Sequence, residues 1–132
     1  MSTTHENIKL PAVIEDSSTL PYWQAAVSGR LLIRRCKECG EPHFYPRPLC
    51  PFCLGDTDWE ESRGVGTVYS LSTVQQASGN FVIAYVELDE GVTMLTQLDN
   101  TDEKTTIGTR VRVKMREAAN GLAIPVFTPE AV

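Results

Sequence analysis

The chain of 132 residues has four cysteines and two histidines, and its 12 Lys and Arg are outnumbered by 17 Asp and Glu, for a formal net charge of -5. Each shortage removes a class of function. No stretch approaches the roughly 18 consecutive apolar residues of a membrane span. The start, MSTTHENIKLPAVIEDS, lacks the basic and apolar regions of a secretory signal. A cytoplasmic protein with no membrane partner is therefore expected. A nucleic-acid binder must offset phosphate charge with Lys and Arg. Here residues 1–29 hold one base against three acids, residues 30–63 six against six, and residues 64–132 five against eight. No nucleic-acid partner is expected either. Catalytic motifs are also missing. There is no Gly-x-Ser-x-Gly elbow, and Gly64-Val65-Gly66 lacks the Gly-Lys-Ser/Thr ending of a phosphate loop and opens a strand instead of a helix. The length suits one domain, or a small module joined to a slightly larger one.

All four cysteines lie in RRCKECGEPHFYPRPLCPFCLGD, residues 34–56, as two Cys-x-x-Cys pairs separated by ten residues. In a reducing cytosol such cysteines are poor candidates for disulfides, and both pairs have the spacing of metal knuckles. Two knuckles at this separation can set Cys36, Cys39, Cys50 and Cys53 around one tetrahedral ion, the pattern of structural zinc. Iron in a rubredoxin-like site is the alternative, since it suits the same thiolates. The loop here is shorter than a rubredoxin's, and no electron-transfer signature accompanies it. A thioredoxin-type redox pair would need one Cys-x-x-Cys opening a helix in a βαβ unit, and neither pair has that context. A closed four-thiolate site has no open position for water or substrate, so the metal is expected to stabilise and not to catalyse. It also occupies every thiol. The histidines that remain are His5, near the N-terminus, and His43, read as a loop residue on the tip of the ribbon.

Three segments separate along the chain. Residues 1–17 are polar and acidic and read as a flexible arm. Residues 18–63 hold a short helix and the zinc ribbon. Ser18 or Thr19 is the N-cap, Pro21 falls in the first turn and Gly29 is the stop, which predicts a helix at about 20–28 with Tyr22, Trp23, Ala26 and Val27 as its apolar stripe. RLLIRRC reads as a strand leading into Cys36. Residues 64–132 read as β throughout: VGTVYSLSTVQQ, FVIAYVELD, VTMLTQLD, RVRVKMRE and AIPVFTP are bounded by ASGN, EG, NTDEKTTIG and AANG. Five short strands with the longest link between the third and fourth suit an OB-fold barrel. Its inward rows are expected to include Val65, Val68, Leu71, Val82, Ala84, Val86, Leu95, Val111 and Val113. On the fourth strand Arg110, Arg112, Lys114 and Arg116 recur at every second position and so share one face. That stripe reads either as a solvated face offset by neighbouring acids or as a track for a phosphorylated ligand or an acidic partner.

Taken together, YWQAAVSGRLLIRRCKECGEPHFYPRPLCPFC, then SRGVGTVYSLSTV, FVIAYVELDEGVTMLTQL, IGTRVRV and PVFTP resemble, over about residues 18–129, the DUF35 family of acyl-CoA-associated zinc-ribbon OB-fold proteins. The resemblance implies a mainly β protein: a short helix, a rubredoxin-like four-Cys ribbon and a five-stranded OB barrel. It also implies an accessory subunit with no turnover of its own. Such a subunit joins a thiolase-fold partner (a thiolase, a lipid-transfer-protein-like aldolase or an acyltransferase) in a hetero-oligomer and helps to bind acyl-CoA. Under that reading Arg112, Lys114 and Arg116, with Arg47 or Arg63 at the junction of ribbon and barrel, are candidates to meet CoA phosphates. Tyr22, Trp23, Phe44, Tyr45 and Phe52 are candidate anchors for the partner, and GEPHFYPRPL is the surface offered to it. The other readings are a stand-alone acyl-CoA carrier and, with only the basic stripe for support, a nucleic-acid-binding OB protein.

Overall fold

The computed structural model describes residues 17–119 and 121–130. The arm expected over residues 1–17 therefore lies, except for Ser17, outside the described residues. Pro21 in the first turn and Gly29 past the last bracket helix α1 (Leu20–Val27), with Thr19 at the N-cap position. Gly29 takes φ +83°, and the amides of Gly29 and Arg30 fold back onto the carbonyls of Ala26 and Ala25, the turn that glycine makes at low cost. The buried side of α1 is Tyr22, Trp23, Ala25 and Ala26. Val27, expected in that stripe, is exposed, because at about 100° per residue it falls beyond the edge of a buried face centred on Tyr22 and Ala26.

The ribbon is a three-stranded antiparallel sheet with β1 (Leu32–Cys36) between β2 (Pro42–His43) and β3 (Thr57–Glu61). β3, TDWEE, was not expected as a strand, since Asp and Glu are poor strand formers. Charge pairing with β1 holds it there. The Arg34 guanidinium lies 4.3 Å from the centre of the Trp59 ring directly opposite, the geometry of a cation–π contact. Arg35 donates twice to Glu60, at 2.8 and 3.2 Å. Lys37 and Arg30 pair with Asp58 and Glu61 at 3.5 and 3.2 Å.

The five expected β runs form β4 (Val65–Val74), β5 (Phe81–Leu88), β6 (Thr93–Leu98), β7 (Arg110–Glu117) and β8 (Ala123–Pro129). They close into a barrel in the order β4-β5-β6-β8-β7. The long β6–β7 link passes the place of β8 in the strand order, and the parallel contact Leu98↔Phe127 joins β6 to β8. Of the expected inward residues, Val68, Ala84, Val86 and Val111 are buried, and Val65, Leu71, Val82 and Val113 are half-buried. Leu95 is a correction: it is 54% exposed. The register Val86↔Met94, Ala84↔Thr96, Val82↔Leu98 puts the even-numbered residues of β6 inside, and a strand's period of two then turns Leu95 outward beside Tyr85. TMLTQL has apolar residues in both phases, so its alternation was ambiguous. On β4 a bulge at Tyr69 keeps Val68 and Leu71 in phase with Val86 and Ala84.

One apolar core runs through both parts. It contains Tyr22, Trp23, Leu31 and Ile33 together with Val68, Val86, Leu98, Val111 and Phe127, and α1 packs on β8 of the barrel and β1 of the ribbon. A polar latch closes the other side of the joint. In the β5–β6 turn the Glu90 carboxylate accepts from the Ser62 hydroxyl at 2.7 Å and from the Arg63 backbone N–H at 2.9 Å. Ser62 Oγ in turn accepts from the Gly64 amide at 3.0 Å. Gly64 has φ +73°, and a side chain there would run into Val113. The Glu90 side chain is only 10% exposed, so Glu90→Ala strands two donors. The expected loss is about 2 kcal/mol, a fall in Tm of about 7 °C for a chain of this size. Glu90→Gln, which keeps one acceptor oxygen, should lose less. Equal melting curves for Glu90→Ala and the parent chain would show that the latch holds nothing.

Candidate metal centre

Both knuckles are built on the same turn. The Gly40 amide closes onto the Cys36 carbonyl at 3.2 Å and the Leu54 amide onto the Cys50 carbonyl at 2.9 Å. Backbone N–H groups of Glu38 and Cys39 point at Cys36 Sγ, and that of Phe52 at Cys50 Sγ, each at 3.3 Å. Gly55 sits behind the cluster, where any side chain would press on Cys36 Sγ and the Glu38 carboxylate. The four sulfurs lie within 4.8 Å of one another, with Cys36–Cys53 at 3.5 Å and Cys39–Cys50 at 3.7 Å. A tetrahedral zinc–thiolate site, with Zn–S of about 2.3 Å, has sulfurs about 3.8 Å apart. The donor set therefore fits one four-coordinate ion. Its electrostatics fit too. The Cys39 amide, with the Glu38 amide and the neighbouring thiols, draws the Cys36 thiol down to about 6 against the opposing effect of burial. At Cys39 the Glu41 amide pulls downward, but burial and the three neighbouring sulfurs push it up to about 12. Four sulfurs at this spacing shed all their protons together only with a cation among them.

The other expected site residues fall into different settings. Tyr22 and Trp23, expected as partner anchors, are buried at 2% and 8% exposure, so their rings are already covered by their own chain. Tyr22 meets Trp23, Phe44 and Tyr45 at ring-centre distances of 4.7, 5.7 and 5.7 Å, contacts each worth about 1 kcal/mol beyond burial. Burial, then the Tyr45 hydroxyl, holds the Tyr22 phenol well above its ordinary range. Phe44 is half-buried in the same cluster. Tyr45 at 40% and Phe52 at 68% remain exposed, and Leu49 and Leu54 beside them are exposed as well.

His43 is not a loop residue on the ribbon tip; it belongs to β2 and is 4% exposed. Its Nε2 accepts the Arg47 amide at 3.1 Å, so the proton of the neutral ring is on Nδ1, which is buried without a hydrogen-bond partner. Arg47 itself is exposed, and its carbonyl accepts from the Thr57 hydroxyl at 2.8 Å.

The basic stripe of β7 is paired along its whole length. Arg110 meets Asp89 at 2.8 Å, Arg112 meets Glu130 at 3.1 Å, and Lys114 and Arg116 meet Asp99 at 3.5 and 3.4 Å. Arg63 reaches Asp89 and Glu90 at 3.7 and 3.8 Å while 73% exposed. The acids were missed in the sequence because they lie far from β7 in the chain. The turn that follows β5 supplies Asp89 and Glu90. Asp99, fully buried at the end of β6, had no signal beyond ending the VTMLTQLD run. Arg110 holds the Asp89 carboxyl below its usual range by hydrogen bonding.

Two outcomes follow from this geometry. Stripping the metal with a chelator should abolish amide protection in β1–β3 while β4–β8 keep most of theirs, with one zinc per chain in the untreated protein by elemental analysis. Full ribbon protection in metal-free protein would refute a structural role for the ion. For His43, burial first, then the Arg47 and Arg34 charges, hold the folded pKa below the ordinary value. The stability that its neutral form contributes is complete above the unfolded pKa of about 6.5 and is lost as pH falls toward the folded value. His43→Gln removes the titration, so its melting temperature should fall less than the parent's between pH 7 and 5; parallel curves would contradict this.

The ribbon matches the ChsH2 rubredoxin-like zinc ribbon domain over residues 23–60, and the barrel matches the ChsH2 C-terminal OB-fold domain over residues 59–116. The chain is 36% identical over 128 residues to a probable enoyl-CoA hydratase alpha subunit of Thermomonospora curvata, covering 90% of this chain and 39% of that protein. It thus spans about two fifths of that relative's length. It is 34% identical over 114 residues to a DUF35 domain-containing scaffold protein of Methanocaldococcus jannaschii, covering 79% of this chain and 81% of that one. Among solved structures, a chain of the Ltp2-ChsH2(DUF35) aldolase superposes with a TM-score of 0.75 at 33% identity, over 89% of this chain and 98% of that one. A DUF35 protein from Sulfolobus solfataricus shares the fold, with a TM-score of 0.61 at 12% identity, over 86% of each chain. With both modules matched in the same order, and a relative of nearly equal extent, the chain belongs to the DUF35 family of zinc-ribbon OB-fold proteins, in its ChsH2 type.

Proposed function

We propose that this chain is a non-catalytic, zinc-stabilised accessory subunit of a thiolase-fold enzyme, a thiolase, a steroid side-chain aldolase or an acyltransferase, and works in the cytoplasm. In that role it forms a hetero-oligomer and helps the partner to hold acyl-CoA. The observation that carries the reading is the use already made of every thiol. All four sulfurs are gathered in one cluster, and Nε2 of His43 is taken by a backbone amide. The close hydroxyl–carboxylate pair, Ser62 with Glu90, is spent on the latch between ribbon and barrel, so the chemistry falls to a partner. The similar proteins, a chain of an aldolase and a probable hydratase subunit, support the same direction.

Within this reading the docking surface is the second knuckle. Tyr45, Leu49, Phe52 and Leu54 are exposed there on a backbone that the metal makes rigid, the setting in which an aromatic anchor contributes most to binding. For the acyl-CoA phosphates Arg47 and Arg112, both exposed, are better placed than Arg116, whose side chain is 12% exposed against buried Asp99. Lys114 shares that buried acid, and Arg63 is divided between Asp89 and Glu90.

The test is coexpression with a thiolase-fold protein encoded beside this chain. A stable complex is expected, with acyl-CoA turnover in the complex and none in the isolated chain. Phe52→Ala, at a residue 68% exposed, should leave the melting temperature unchanged and weaken the complex at least about tenfold. Turnover by the isolated chain, or no complex, would defeat the proposal. Tight calorimetric binding of acyl-CoA by the chain alone would favour a carrier.

A further inference from the structure

The longest stretch without a charged side chain runs from Gly64 to Val86, in a chain that is 22% charged. It covers β4, the β4–β5 turn and most of β5. β4 is ten residues long, yet on its β7 side it pairs only over Val65–Thr67. The Gly108 amide and the Thr109 carbonyl then meet Val68, and from Tyr69 to Val74 that side of the strand makes no backbone hydrogen bond among the described residues.

The register shows which groups this leaves open. The Asp89 amide donates to the Val65 carbonyl, so alternate residues of β5 back from Asp89 aim their backbone groups at β4. Past the bulge these stand opposite Ser70, Ser72 and Val74. Leu71 and Thr73, between them, turn their N–H and C=O groups to the open edge. Edges of this kind are normally blunted by Lys, Pro or an inward charge. Ser70-Leu71-Ser72-Thr73-Val74-Gln75-Gln76 has none of these, and after the bulge it keeps a regular register with β5 over five residues.

We infer that this edge pairs with the same edge of a second copy of the chain, antiparallel, about a two-fold axis at Ser72. In that register Ser72 faces its own counterpart, and Leu71 faces the partner copy's Thr73. Both residues of each such pair already point their backbone groups outward, so the two symmetry-related pairs each exchange two N–H···O=C bonds. Across the seam Ser70 stands beside Val74 on one face and Leu71 beside Thr73 on the other, small or branched side chains that fit a sheet. No like charges meet, although each copy carries a net charge of -5. A nucleic acid is a poor occupant, because the outward residues of β4, β5 and β6 include Tyr69, Tyr85, Leu95 and Glu87 and no Lys or Arg. The inference is independent of the accessory-subunit reading, and either can fail without the other.

Sedimentation velocity of the zinc-loaded full chain from about 1 to 200 µM tests it, the range in which a small interface shows itself. A concentration-dependent dimer is expected. Ser72 is exposed, so Ser72→Glu and Ser72→Lys should each fold normally and raise the dimer Kd about fivefold or more by placing like charges at the axis. An equimolar mixture of the two variants should dimerise at least as well as the parent. Thr73→Pro, which deletes an outward N–H without touching the core, should also weaken the dimer. A chain that stays monomeric throughout, or a dimer whose Kd both Ser72 substitutions leave unchanged, overturns the inference.

Discussion

The convergence of four sulfurs within 4.8 Å is the constraint on which the N-terminal half depends. β1 and β3 have five residues each and β2 has two, too little sheet to bury a core of its own. The ion fixes both knuckles and with them the ends of the connection from Gly40 to Leu49. On that connection Phe44 and Tyr45 reach the Tyr22 ring. Tyr22 and Trp23 in turn belong to the apolar core that includes Phe127 of β8. Metal, loop, helix and barrel are thus linked in series. A defect at the metal should pass first to the aromatic cluster and only then to the barrel, which is closed by its own strand pairs.

Charge is organised on a different principle. Nearly every cation on β1 and β7 faces an acid from a strand or turn distant in sequence: Arg35 with Glu60, Arg110 with Asp89, Arg112 with Glu130. Exposed pairs of this sort contribute about 1 kcal/mol or less to stability. Their greater effect is on what else can bind, since an incoming phosphate must displace a carboxylate before it gains a guanidinium. Arg112, 61% exposed, can turn to a ligand at small cost. Arg116 is held more closely, because its side chain is 12% exposed and leaving would take one of two cationic partners from the fully buried Asp99.

This explains what could be read from the sequence and what could not. Local signals were sufficient for α1 and for the five barrel strands, because Pro21, Gly29 and the alternating Val, Thr and Tyr runs act over a few residues. The metal ligands were legible for the same reason: a Cys-x-x-Cys knuckle is a local object. β3 was not legible, since TDWEE has few strand formers and becomes a strand by pairing with β1, where Arg34 meets Trp59 and Arg35 meets Glu60. Leu95 was assigned to the wrong face because TMLTQL is apolar in both phases, and pairing with β5 decides between them. The β7 stripe was visible, but its acids were not, as three separate turns or strand ends supply them. Sequence marks Tyr22 and Trp23 as contact residues without saying whether the contact is with the same chain, and the fold covers both rings with its own residues.

The separation of charged and uncharged surface also bears on how many partners the chain can hold at once. The joint with the ribbon is at Val65, the first residue of β4, whereas the open edge is centred on Ser72 and Thr73. At about 3.3 Å per residue the two are about 25 Å apart along one strand. A protein anchored on Phe52 of the second knuckle therefore meets a rigid, metal-bound tip, and a second copy meets uncharged backbone far along β4. Occupation of one leaves the backbone groups of the other in place. The bulge at Tyr69 divides the strand between these tasks: before it β4 closes the barrel with β7, and after it β4 has a side to spare.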